Sequence, residues 1–317
     1  MNTVTPARLL RPLLLFGGTG QLGRELFPLL GSLGIVTAPP RSHADLARPD
    51  TLRDTIRRVR PSVIVNAAAV TNVDHAEREP ELAHRVNGIA PGVMAEVAAD
   101  LGALVVHFST DYVFDGASTT AYDENDRPNP INAYGATKLE GEHRVAAAGG
   151  SHLIVRTSWV YSRTGAGFIP TVLRQLDKQS EIRVVADQTG SPTWSRALAA
   201  ATTEIVRGLV VENEVHLSDE RRGVYHLAGS GAASRVDIAT ALIDAAAEST
   251  PSAVGRAPVV IPISASEFGA LAPRPRYSAL ANRRAREQFG VTLAPWRTDL
   301  RRMLAHTDEA IGAFRAG

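Results

Sequence analysis

The sequence predicts an α/β protein: a Rossmann-type, doubly wound parallel sheet followed by a smaller, discontinuous C-terminal α/β substrate domain. Three observations carry this. Up to residue 155, short apolar runs alternate with longer stretches of helical spacing. The runs read as unbroken Val, Ile, Leu and Ala, as strands covered on both faces do. A glycine-rich turn at residues 17–23 separates the first run from the first helical stretch.

The strands are expected in order at Pro12–Gly17, Ile35–Ala38, Ser62–Asn66, Ala103–Ser109 and Leu153–Thr157. Between the first two, Leu22, Leu26, Leu29 and Leu30 recur with helical period, and Leu52, Ile56 and Val59 do so before the third. Later helices are expected at Phe168–Lys178, Ser195–Gly208, Arg235–Glu248 and Ala279–Phe289, with strands at Ile182–Ala186 and Gly223–Leu227. Glu212–Arg222 reads as a charged linker, and the Pro- and Ser-rich Ala257–Pro275 as mostly loop. The dinucleotide-binding domain is therefore drawn over residues 10–157, with roughly 180–189 and 222–229. The substrate domain takes roughly 158–179, 190–221 and 230–317.

Composition narrows the function. The chain has 317 residues, 44% of them hydrophobic, which is enough apolar surface to offset chain entropy. Lys plus Arg is 34 against 33 for Asp plus Glu, so the clustered basic excess of a nucleic-acid binder is not expected. Without any Cys, disulfides, thiolate metal sites and a Cys nucleophile are excluded. No apolar run approaches a membrane span, and Leu13–Phe16 is too short for a signal-peptide core. A cytoplasmic protein without nucleic-acid or membrane partners is expected.

Four motifs carry chemistry. In LLLFGGTGQLG a strand leads through Gly17, Gly20 and Gly23 into an amphipathic helix. Such glycines permit a tight turn and close approach of a pyrophosphate, and the helix N-terminus offers it free N–H groups. Where an NAD site carries an acid after the second strand, this chain has Pro39, Pro40 and then Arg41, which can accept a 2′-phosphate. NADPH is therefore expected to be preferred, with NADH still accepted. Asp45 and Leu46 follow and could border the adenine. Ser109, Thr110 and Asp111 stand at the carboxyl end of the fourth strand, where open parallel sheets bind ligands and where the same residues also make ordinary caps. Tyr134 and Lys138 are spaced i, i+4 and would share a helix face. A nearby ammonium would lower the phenol pKa and make Tyr134 a proton donor for carbonyl reduction.

These residues resemble the extended short-chain dehydrogenase/reductase superfamily and, within it, the dTDP-4-dehydrorhamnose reductase family. The phrases carrying the resemblance run from residue 13 to about residue 300: LLLFGGTGQLG, VIVNAAAVTNVDHAE, HFSTDYVFDG, NAYGATKLEGE, VRTSWVY, DQTGSPT and APRPRYSAL. The resemblance implies that Gly20, Gln21 and Leu22 lie against the cofactor pyrophosphate. It puts Asp45 and Leu46 near adenine, and runs Ala69, Val70 and Thr71 along the cofactor. It implies that Thr110 and Asp111 touch the substrate, a dTDP-linked deoxysugar. Thr110 would also tune the proton donor. Tyr134 would be that donor and Lys138 would hold the nicotinamide ribose. Trp159 would contact the deoxysugar, and Arg274 and Arg276 would reach the nucleotide pyrophosphate.

Some relatives dimerise through magnesium held by glutamates. Glu25 fits one such position, but Arg196 stands where another glutamate is expected. No metal is therefore assigned, and a monomer or weak homodimer is expected. Two rival readings follow from the same fold. An epimerase or dehydratase would need extra acid/base residues beside Thr110, and a dehydratase's Asp-Glu pair is replaced by Asp111-Tyr112. A non-catalytic NADP-binding regulatory subunit would not need the intact Thr110, Tyr134 and Lys138.

Overall fold

The computed structural model describes residues 9–176, 178–249 and 258–305. Six parallel strands form the central sheet. They are β1 (Leu13–Phe16), β2 (Val36–Thr37), β3 (Val63–Asn66), β4 (Leu104–Thr110), β5 (His152–Thr157) and, much later in the chain, Gly223–His226. From one edge the order is Gly223–His226, β5, β4, β3, β1, β2. The order reverses between β1 and β3, so their carboxyl ends flank the crevice where such sheets bind ligands.

Alternation within each strand divides the core. Leu13, Leu15, Val63, Val65, Leu104 and Val106 face one layer, with Leu22, Leu26 and Leu30 of α1 (Gln21–Leu30). Leu14, Phe16, Ile64 and Val105 face the other, with Leu52 and Ile56 of α2 (Pro49–Val59) and Val93, Met94 and Val97 of α3 (Ala90–Leu101). Side chains two apart share a face, and both faces are buried, so the strands read as unbroken apolar runs. The helix α4 (Ala133–Ala147) crosses from β4 toward β5.

The second unit has its own core of Ile169, Val172, Ile182, Val184, Ile238, Leu242, Trp296 and Leu300. Here the expected boundaries need correction. Glu181–Val185, grouped above with the dinucleotide-binding domain, does not join the central sheet; it pairs in parallel with Val259–Ile263. Its buried Ile182 and Val184 find their partners in the second core. Ser195–Arg207, assigned to the substrate domain, instead packs Leu198, Ala199 and Ile205 into the central sheet's first layer, beside α1. The stretch expected as loop contains the strand Val259–Ile263 and a short helix, Ala265–Phe268, with a capping box at Ser264 and Glu267. Pro262 fits this strand because a two-stranded sheet consists of edges, where a missing N–H is tolerated. Ala257 itself lies outside the described residues. The supposed linker, Glu212–Arg222, begins inside a hairpin that pairs Val210–Val211 with Glu214–Val215, turned by Glu212 and Asn213 at φ 49° and 67°.

Candidate active site

The glycine turn is built by close approach. Gly17 has φ 81°, and a Cβ there would lie 2.7 Å from the Ala68 nitrogen. A Cβ at Gly23 would lie 2.0 Å from the Gly17 carbonyl oxygen, so α1 can start only where the side chain is hydrogen. Gly20 caps α1 without a side-chain hydrogen bond. The first-turn N–H groups of α1 therefore face the crevice as an anion cradle. Gln21 reaches across to the second unit, its Nε2 donating to the Val160 carbonyl at 3.3 Å, while Leu22 is buried in the layer beneath.

On the opposite side of the crevice, Ala69, Val70 and Thr71 follow β3. Val70 is clamped by Asn87, whose Oδ1 accepts from the Val70 N–H at 2.8 Å and whose Nδ2 donates to its carbonyl at 3.0 Å. Arg41 is exposed and pairs with Asp45 at 3.3 Å. Asp45 in turn accepts from the Ala47 N–H at 3.0 Å, and Leu46 is buried against the α2 layer.

The structure brings Thr110, Asp111, Tyr134 and Lys138 together at the end of β4. Gly135 makes this possible, because a Cβ there would lie 2.0 Å from the Tyr112 carbonyl oxygen. Asn132 caps α4 by accepting from the Gly135 N–H at 2.8 Å, and its Nδ2 donates to the Pro273 carbonyl at 2.9 Å. The Tyr112 and Tyr134 rings meet edge-to-face with centroids 5.9 Å apart. Burial pushes the Tyr134 phenol above the usual tyrosine value, and the neighbouring Thr110 hydroxyl opposes that rise. The expectation that Lys138 lowers the Tyr134 pKa is not met. The buried Lys138 side chain runs to β4, where Nζ donates to the Phe108 carbonyl at 2.6 Å and lies 3.3 Å from His107 Nε2. Burial pushes Lys138 down to about 8, against the opposing charge of Glu142.

Asp111 is a junction. Its carboxylate accepts from Thr110 Oγ1 at 3.1 Å, Ser158 Oγ at 2.8 Å and Ser278 Oγ at 2.5 Å. Burial raises it to about 6, against all three hydroxyls. Beneath lies a buried pair, Arg156 Nη2 with Glu142 at 2.7 Å, which also accepts from Ser109 Oγ at 2.5 Å.

Trp159 lines the second unit's side with φ 45°, an uncommon value for an aromatic residue. Its ring lies so near Gly190 that a Cβ there would be 2.5 Å from it, and the Arg235 guanidinium sits 4.5 Å from its centroid. Arg235 also faces the Tyr112 hydroxyl. Arg274 pairs with Asp74 at 3.1 Å and holds that carboxyl below the usual range. Arg276 is exposed, with its carbonyl accepting from the Thr189 N–H at 2.8 Å. Glu25 approaches Arg196 at 4.0 Å.

Sequence reasoning did not find Asn66, Asn87, His107, Ser158, Arg235 or Ser278. Contacts such as Asp111 to Ser278 span 167 positions, and no local spacing records them. The glycine after Tyr134 was a visible signal of close backbone approach.

Comparisons with known proteins identify the family. The family model "RmlD substrate binding domain" matches residues 11–309. The chain is 41% identical over 288 residues to the dTDP-4-dehydrorhamnose reductase of Burkholderia thailandensis, covering 90% of this chain and 95% of the relative. It is 37% identical over 297 residues to the enzyme of that name from Escherichia coli K12, covering 92% and 96%. A crystal structure of a dTDP-4-dehydrorhamnose reductase from Bacillus anthracis, in complex with NADP, superposes with a TM-score of 0.83 at 32% identity, covering 94% of this chain and 99% of that one. With its cradle of glycines, its Tyr134–Lys138 helix face and matches over nearly its full length, the chain belongs to the RmlD substrate binding domain family.

Proposed function

We propose that the chain is an NADPH-dependent oxidoreductase that reduces the C4 ketone of a dTDP-linked 6-deoxy-4-hexulose, converting dTDP-4-dehydro-L-rhamnose to dTDP-L-rhamnose. The observation that carries this is the convergence of Tyr134, Lys138 and Thr110 at the end of β4, at the same carboxyl end of the sheet as the glycine cradle. The uncapped start of α1 and the space kept by Gly17 and Gly23 fit a dinucleotide pyrophosphate. When bound, the reduced nicotinamide supplies the hydride.

Tyr134 gives its phenolic proton to the C4 oxygen as the C=O double bond becomes C–O–H, completing the alcohol. Its raised pKa suits a group that must arrive at the ketone protonated. Thr110 orients the phenol, and Asp111 orients Thr110 by accepting its hydroxyl proton. Lys138 holds the nicotinamide ribose, and Arg41 meets the 2′-phosphate. Trp159 and Arg274 border the sugar nucleotide. Arg276, exposed on the adjoining strap, completes the set.

Among the described residues no helix is long and apolar enough to cross a membrane. We read the protein as cytoplasmic and as a monomer or weak homodimer, with Arg196 occupying the acidic face of Glu25. The test is to follow NADPH absorbance with purified protein and the 4-keto sugar nucleotide. One NADPH oxidised for each 4-keto sugar nucleotide reduced to a dTDP-6-deoxyhexose is expected. Epimerised or dehydrated product without net NADPH loss, or no turnover, contradicts the reading.

A further inference from the structure

We infer that Asn66 and His107 are positioning residues that set the protonation of Lys138, by locking His107 in the tautomer whose Nε2–H points at the lysine amine. The inference rests on the proposed role of Lys138 in that site. It starts from register: Asn66 of β3 and His107 of β4 are direct partners in the parallel ladder. Both are buried.

The Ala68 N–H donates to Asn66 Oδ1 at 3.1 Å, which fixes the orientation of the side-chain amide. Asn66 Nδ2, a donor only, therefore faces His107 Nδ1 at 3.1 Å. Nδ1 must accept. Burial and the Lys138 charge hold His107 neutral, far below the usual histidine value, so its single ring proton lies on Nε2. That N–H faces Lys138 Nζ at 3.3 Å. An ammonium has only donors and meets it badly, whereas a neutral amine has a lone pair to receive it.

The other groups around Lys138 do not cancel this. The Phe108 carbonyl accepts from Nζ at 2.6 Å and can do so from either form. Glu142, one turn along α4, favours the ammonium, but its carboxylate is engaged by Arg156 and Ser109. Tyr134, one turn the other way, is kept neutral by burial.

Composition points the same way. The chain has only two lysines, Lys138 and Lys178, against thirty-two arginines. A position that needed nothing more than a fixed positive charge would be served by arginine, which cannot be deprotonated in a protein. Lysine at 138 keeps a cation that titrates, so the site can lose and regain a proton.

Two lysines also make the test direct. Protein labelled with ¹³C-lysine gives two side-chain signals, with the exposed Lys178 as internal reference. Lys138 is expected to titrate near pH 8. Asn66→Asp is isosteric and presents an acceptor to Nδ1. It should move the ring proton to Nδ1, turn Nε2 into an acceptor and raise the Lys138 midpoint by about one unit or more. The alkaline limb of kcat should move with it.

Independently of that variant's folding, ¹⁵N NMR of wild-type His107, assigned with His107→Gln, should show a proton on Nε2 and none on Nδ1. A Nδ1–H or doubly protonated His107 overturns the inference. So does a Lys138 whose signal does not titrate near pH 8, or a folded Asn66→Asp protein with an unmoved midpoint. The NMR readouts are independent of turnover. A wild-type protein without reductase activity would sink the functional reading while leaving the tautomer and titration results to decide this one.

Discussion

Tyr134 carries the heaviest chemical demand of any single side chain. Its phenol is raised by burial, and Thr110, Tyr112 and Asp111 surround it. Tyr134→Phe removes one hydroxyl from a site otherwise held by backbone packing at Gly135. The variant should keep its melting temperature and cofactor affinity and lose ~10²–10⁴-fold in kcat. Retention of more than about a tenth of the wild-type rate would mean that the proton comes from elsewhere. Arg41 is a weaker case. Its side chain is 76% exposed and shared with Asp45, so solvent and that carboxylate both reduce what it can offer a 2′-phosphate. A modest NADPH preference, on the order of tenfold, is expected. Arg41→Ala should weaken NADPH binding alone; titrations showing equal loss for NADH would remove Arg41 from phosphate recognition.

Elements explain which of these residues were legible. Tyr134 and Lys138 belong to one helix, and the glycines belong to one turn, so each motif is local, and the order of strand, turn and helix around them makes the combination legible. The central strands were equally readable, because burial on both faces leaves unbroken apolar runs. His107 and Asn66 lay hidden for the same reason: each is a polar residue inside such a run, and its meaning depends on the neighbouring strand's register. Val259–Ile263 hides in a Pro- and Ser-rich stretch that reads as loop, because a strand containing Pro262 is tolerated only at an edge, and being an edge is a property of the sheet. The glycine turn gives the prediction proper to this scale. Gly23→Ala would place a Cβ 2.0 Å from the Gly17 carbonyl oxygen, backbone that can yield only by moving α1. A stability loss of ~1–3 kcal/mol and a weakened cofactor Kd should appear together. Normal cofactor affinity in this variant, measured by titration, would separate the turn from the cofactor.

At the scale of the whole molecule, Asp111 ties the two units together. It hangs from β4 and receives hydroxyls from Ser158 after β5 and Ser278 of the C-terminal strap. Its carboxyl is raised to about 6 by burial, so between its unfolded value and pH 6 the folded protein holds a proton that the unfolded chain has released. The stability this contributes is complete below the unfolded pKa and is lost as pH rises through 6. Relative to Asp111→Asn, which cannot ionise, the wild type should therefore lose on the order of 2–3 kcal/mol from pH ~4 to ~7. Denaturant midpoints across that range check the slope; parallel curves for the two proteins would show that Asp111 does not titrate in the fold.

The joining of these two units around one crevice is what makes the molecule a reductase in this account, and one assay reaches that claim most directly. Purified wild-type protein is mixed with NADPH and dTDP-4-dehydro-L-rhamnose, and cofactor loss is followed alongside product identity. One NADPH should be oxidised for each dTDP-L-rhamnose formed, with the rate falling ~10²–10⁴-fold in Tyr134→Phe. Cofactor binding with no oxidation in the presence of the 4-keto sugar nucleotide would contradict it.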